Sequence, residues 1–136
     1  MSDAGVRLVA LCDHALVGQD GKVSLLGIFR NISVSALPAE HPRMYLVAIL
    51  ALEARPHVVV VQLYRPDGTA AMPNAPEISV HGMAGQDVNV IVELNKLVLT
   101  AYGTHHFDVA VDGESVVRIP VSIEQMGPAA QGRRAN

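Results

Sequence analysis

The feature that most limits how this chain can fold is an alternation that runs up to an Asp-Gly pair and resumes after it. Phe107, Val109 and Val111 alternate with His106, Asp108 and Ala110, Asp112-Gly113 follows, and Val117, Ile119, Val121 and Ile123 then alternate with Val116, Arg118, Pro120 and Ser122. A period of two sends successive side chains to opposite faces of a strand, and a two-residue hairpin turn needs the positive φ that glycine adopts freely and aspartate tolerates. The segment reads as a β-hairpin with one buried face. Pro120 has no N–H to give to a ladder, so the last strand is expected to be an edge or to carry a bulge there. Two further pairs, Asp20-Gly21 and Asp67-Gly68, punctuate the chain at nearly even spacing, but their flanks do not match and no repeat is read.

The same reasoning extends along the 136 residues. Residues 6–14 and 23–32 form strands joined around Asp20-Gly21, with Gly27 as a bulge or close approach and a loop lengthened by Val17-Gly18-Gln19. Residues 45–53 are apolar on both alternations, so that strand is either central and covered on both faces or meets another subunit with its outer one. Val58 to Val61 are four consecutive valines, whose restricted χ1 favours strand over helix. Residues 87–94 alternate cleanly, 78–81 are a short strand, and 97–99 are a separate one. No window repeats apolar residues at helical spacing. Seven or eight short strands with turns between them make an antiparallel β-sandwich. Two Pro-rich connections, 35–43 and 65–77, are long enough to cross between sheets or to carry a binding function. The domain is expected to cover 1–126, with 127–136 as a disordered C-terminal tail.

Composition narrows the function classes. Half of the residues are apolar, 17% are charged and the net charge is −3. That apolar share excludes disorder for the bulk of the chain, and one domain of this length buries about two-thirds of its unfolded surface. The charge balance lacks the basic footprint of nucleic-acid or anionic-lipid binding. Charge interrupts every apolar run before the ~18 residues of a membrane helix, and the lone Cys12 makes no internal disulfide. Val9-Ala10-Leu11-Cys12 has Leu11 where a lipoprotein cleavage box needs a small residue, and Asp3 with a single Arg7 is a poor positive leader. The expected location is cytoplasmic, with Cys12 reduced.

Motifs for chemistry are missing. His105 and His106 are adjacent in a strand and point to opposite faces, whereas His106 and Asp108 share a face about 6–7 Å apart. No Cys-x-x-Cys, His-Glu-x-x-His, calcium-loop, Gly-x-Ser-x-Gly or phosphate-loop pattern occurs. Neither a metal nor a cofactor is expected, and the histidines read as solvent-facing groups on outer strand faces. Cys12 in an apolar strand reads as inert packing. Asp13, Glu53, Asp87, Glu93 and Asp108 are the carboxylates that pair on paper for glycoside hydrolysis, but scattered on strands they read as solubilising charge. Asn31-Ile32-Ser33 has the letters of a glycosylation sequon that stays idle inside a cell. Asp13, which ends the first strand, is expected either to pair with Lys22 or Arg30 across the turn or to accept backbone N–H groups there.

Leu11-Cys12-Asp13-His14-Ala15, Asp20-Gly21-Lys22 and Leu26-Gly27-Ile28-Phe29 resemble the opening of a group of short bacterial proteins of unknown function. Pro38, Pro42-Arg43, Arg65-Pro66-Asp67-Gly68, Gly103, Phe107-Asp108-Val109, Val111-Asp112-Gly113-Glu114 and Ile119-Pro120 carry the resemblance through nearly the whole chain. The closing hairpin also looks like the last two strands of immunoglobulin-like domains, with Tyr102-Gly103 near the corner. The fold class expected is therefore all-β, a single antiparallel immunoglobulin-like β-sandwich of about seven to nine strands. The resemblance brings no catalytic residues.

The expected function is a non-enzymatic module for protein binding or self-assembly. The apolar excess and the doubly oily strand at 45–53 favour a C2 homodimer that buries one sheet face. The alternative is a small-ligand or hydrolytic site on the long loops, built from Asp13, His81, His106 and Asp108. A third reading has the 65–77 loop presented to a protein partner.

Overall fold

The computed structural model describes residues 5–127. Nine strands follow in order: β1 (Gly5–Val17), β2 (Val23–Ile28), β3 (Asn31–Val34), β4 (Ala39–Ala51), β5 (Pro56–Tyr64), β6 (Glu77–His81), β7 (Asp87–Leu99), β8 (Gly103–Val111) and β9 (Glu114–Gln125). Among the described residues there is no helix, and so none long and apolar enough to cross a membrane. The expected tail lies, beyond Gly127, outside the described residues.

The strands form two sheets, β2-β1-β4-β7 and β3-β9-β8-β5-β6. Their facing sides supply the core. Met44, Leu46, Ala48 and Leu50 of β4 and Val90, Val92 and Leu94 of β7 meet Val59, Val61 and Leu63 of β5, Phe107 and Val109 of β8, and Val121 and Ile123 of β9. Burying each large apolar side chain contributes about 1.5–3 kcal/mol, which is why the period-two pattern and the layer architecture agree.

The closing hairpin forms as expected, with Asp112 at φ 53° and Gly113 at φ 84°. Pro120 faces His106 of β8 on one side, and β3 covers only Ser122–Gln125 on the other, so β9 is a local edge where its donor is missing.

Three elements depart from the alternation. The expected strand 23–32 is two strands. Its first half pairs with β1, the link Phe29-Arg30 carries the chain to the other sheet, and β3 docks beside β9 in parallel. The fold is all-β with two sheets, but it is not the single antiparallel arrangement expected, because β3 and β9 run parallel. Second, β1 continues past His14 to Val17. Its pairing with β2 runs Cys12 to Ile28 and then His14 to Leu26, skipping Asp13 and Gly27, where Gly27 takes φ 70°. Third, 87–94 and 97–99 form the single strand β7, and β4 begins at Ala39 rather than 45. The β4–β7 ladder skips Pro42 and Lys96, with Lys96 at φ 54°. Past that gap the inward set of β7 changes from even residues, Val90 to Leu94, to odd ones, Leu97 and Leu99. A strict period of two cannot be followed through such a gap.

Candidate functional site

Of the four residues singled out for a site, the structure brings together only His106 and Asp108, on the outer face of β8. Asp13 belongs to the other sheet and His81 is exposed on the edge strand β6. Among the described residues no three His, Cys, Asp or Glu side chains gather closely enough to hold a metal ion. Asp108 is 8% exposed rather than a solvated surface charge. Its Oδ1 accepts a short hydrogen bond from Ser115 Oγ and another from Arg118 Nε at 3.2 Å. The Arg118 guanidinium lies 4.8 Å from the centre of the Tyr64 ring. Beside it, Gln62 Oε1 accepts the Met72 N–H at 2.9 Å and Gln62 Nε2 donates to the Met72 carbonyl at 3.0 Å. Arg65 holds the same loop through Thr69 Oγ1 at 3.1 Å, the Ala70 carbonyl at 3.0 Å and Thr100 Oγ1 at 3.2 Å. A groove of about 490 Å³ remains between this loop and the Glu93–Val98 stretch of β7.

A second polar cluster fastens the far end of this sheet, and nothing in the alternation marks it. Asp112 Oδ1 accepts the Val58 N–H at 3.0 Å, while its Oδ2 meets His57 Nδ1 at 2.7 Å and Arg55 Nη1 at 3.1 Å. These groups hold the Asp112 carboxyl at a pKa of about 2, the backbone N–H of Val58 first among them, then His57. His57 is 3% exposed, and its Nε2 reaches the Glu53 carbonyl at 2.9 Å. His105, 1% exposed, turns inward with Nδ1 at 3.1 Å from the Gly103 carbonyl. The expectation of solvent-facing histidines therefore fails for both, because each ring finds a carbonyl or carboxylate that offsets its desolvation.

Asp13 has neither of the partners expected for it. Lys22 Nζ pairs with Asp20 at 3.8 Å, and no hydrogen bond or ion pair of Asp13 occurs among the described residues. Its carboxylate rests against Gly27, where a Cβ would fall 2.5 Å from Oδ2, so a side chain at position 27 would push the acid away. Asp13 lines a cleft of about 220 Å³ with Phe29, Asn31, Ile32, Ser33 and His41. His41, which the alternation did not single out, has a buried Nε2 with no hydrogen-bond partner, and its ring is 6.1 Å from that of Phe29. Burial lowers the His41 pKa from its ordinary value, against the pull of the Asp13 charge.

The remaining feature is apolar. On the outer side of the four-stranded sheet, Cys12, Ala15 and Val47 are buried among Val23, Leu25, Tyr45, Ile49 and Ile91, a cluster separate from the core. Burial pushes the Cys12 thiol pKa up, in keeping with packing rather than reactivity. The oily outer alternation of β4 is thus covered in part by this chain's own β1–β2 hairpin. That hairpin is itself uncovered: Leu16, Val17, Leu26 and Ile28 are each more than half exposed. Leu16 and Val17 are neighbours on a strand, so they point to opposite faces.

The model of a family of unknown function, DUF6941, matches residues 7–124. The chain belongs to that family. No curated protein matches it in sequence. Among solved structures it is similar to the alkylpurine DNA glycosylase AlkC of Pseudomonas fluorescens, bound to DNA containing an abasic site analog. The TM-score is 0.57 at 13% identity, over 91% of this chain and 31% of that one. It is also similar to a β-glucosidase from Listeria innocua in complex with glucose, with a TM-score of 0.50 at 13% identity, over 89% of this chain and 16% of the other. This chain thus shares its architecture with parts of much longer chains, of which it spans less than a third, and at this identity the likeness is one of fold alone.

Proposed function

We propose that this member of the family is a non-enzymatic, immunoglobulin-like module of the cytoplasm that works by self-association, as a C2 dimer built on the β1–β2 hairpin. The observation that carries the reading is where uncovered oil lies. Among the described residues, six of the ten exposed large hydrophobic side chains, Val6, Leu8, Leu16, Val17, Leu26 and Ile28, belong to β1 and β2. Leu16 and Val17 point to opposite faces, so the hairpin carries oil on both, and the cluster around Val47 adjoins one of them. Apolar surface of this kind is what homodimer interfaces enrich, and an isologous contact needs about 800 Å² on each partner.

The other candidates have less to offer a partner. The carboxylates of Asp108 and Asp112 are already engaged by side chains of the same molecule, which supports a structural use of both. A protein reaching for the 65–77 loop would meet a segment fastened at Met72 and Arg65. Light scattering coupled to size exclusion at micromolar concentration tests the proposal. The expected mass is twice 14.5 kDa, and a single species of 14.5 kDa overturns it.

A further inference from the structure

In the Asp13 cleft, polar side chains converge with no hydrogen bond between them among the described residues. Asp13 ends the first half of β1, Phe29, Asn31 and Ser33 come from the crossing into β3, and His41 comes from the start of β4, where it pairs with Leu97 of β7. What each offers is an acceptor. A carboxylate only accepts, a serine hydroxyl and an asparagine amide oxygen both accept, and an uncharged imidazole with its proton on Nδ1 presents a lone pair at Nε2. The Nε2 atom of His41 is buried and has no hydrogen-bond partner. The lowered pKa of His41 keeps its ring uncharged at neutral pH, so it does not compete for Asp13. The neighbouring cation, Arg30, lines a different opening, with Val9, Ile28 and Pro120.

We propose that this cleft binds a guanidinium group. Such a group has five N–H donors, no acceptor and a flat face. Asp13 takes two of its donors in a forked pair, Ser33 and Asn31 accept others, and the Phe29 ring offers the face against which it stacks. An ammonium, a compact point charge without a face, fits this set less well. The cleft of about 220 Å³ takes the head group and a short stem rather than a large ligand. Gly27 is part of the device, since any side chain there displaces the Asp13 carboxylate.

The chemistry has two sources, a free small guanidinium compound or an arginine side chain displayed on a polypeptide. Titration of isotope-labelled full-length protein with methylguanidinium, and separately with N-acetyl-arginine amide, distinguishes them by nuclear magnetic resonance. Saturable shifts confined to Asp13, Phe29, Asn31, Ser33 and His41 are expected. Saturation by methylguanidinium supports a site for the free head group, and saturation by the arginine amide alone supports a site for displayed arginine. Asp13→Asn, an exposed and nearly isosteric change, should weaken binding at least about tenfold, and Ser33→Ala by about two- to fivefold, in line with lost charged and neutral hydrogen bonds respectively. Spectra of both variants that match the wild type away from the cleft show that they remain folded. No saturation by either probe overturns the proposal. So does equal affinity of Asp13→Asn and wild type, or methylammonium binding as tightly as methylguanidinium.

Discussion

The outer faces of the two sheets are built on opposite principles. On the five-stranded sheet, polar side chains close on each other: Ser115 and Arg118 on Asp108, Arg118 over Tyr64, and Gln62 on the Met72 backbone, with His57 and Arg55 on Asp112 at the sheet's end. On the four-stranded sheet, the hairpin β1–β2 and the cluster around Val47 present hydrocarbon that the chain covers only in part. A face whose hydrogen bonds are internally satisfied needs no partner, whereas exposed apolar surface gains free energy from any cover that excludes water. The contrast is between a finished side, whose polar groups are paired within the chain, and an unfinished side, which leaves apolar surface exposed.

The largest effect should come from charging the unfinished side. Leu26→Glu combined with Ile28→Glu is expected to weaken dimerisation at least about a hundredfold, because two carboxylates would have to be desolvated in the contact. Monomer stability should move by no more than about 0.5 kcal/mol, as for other surface substitutions. Sedimentation equilibrium with chemical denaturation separates the two, and an undiminished dimer would place the interface elsewhere. Next in size is the finished side. Asp108→Ala leaves Ser115 and Arg118 without their shared acceptor and should lower the unfolding free energy by about 1–3 kcal/mol in urea, with oligomeric state unchanged. A change in oligomer mass on this substitution would erase the contrast between the faces.

The smallest effect concerns pH. The folded-state pKa of Asp112, about 2, lies below its ordinary 3.8. Its contribution is therefore present above the ordinary value and is lost as pH falls through the folded one. The stability difference between wild type and Asp112→Asn should hold from neutral pH to about pH 4, narrow below it, and vanish near pH 2. A difference independent of pH would assign the role to turn geometry instead of charge.

Much of the architecture was legible because local physics and global layering agree. The hairpin at Asp112-Gly113 follows from period two and the valine-rich β5 from the stiffness of β-branched side chains, whereas β4 is apolar on both alternations and only packing chose its inward set. The readings that slipped share one cause. At Asp13/Gly27 and at Pro42/Lys96 a ladder loses one pair without changing register, and beyond the second gap the core-facing parity of β7 is reversed. A pattern search sees the reversal as a strand end, which is why β1 looked too short and β7 looked like two pieces. The split of 23–32 into β2 and β3 has no local signal, because Phe29 and Arg30 are ordinary strand residues and the sheet they lead into is chosen by β9. Among site residues, Asp13 stood out at a strand end, but His41 and His57 did not, since their importance comes from what surrounds them.

By itself, then, the order of side chains determined the strands, most of the turns and the amount of hydrocarbon to be hidden, because alternation and positive φ are properties of a few neighbouring residues. Only the tertiary structure decided which polar groups are satisfied and which are left waiting. Asp108 and Asp112 meet partners distant in sequence, while Asp13 and His41 converge without one. Hydrogen bonding depends on distances between elements, and those are set by how the sheets pack.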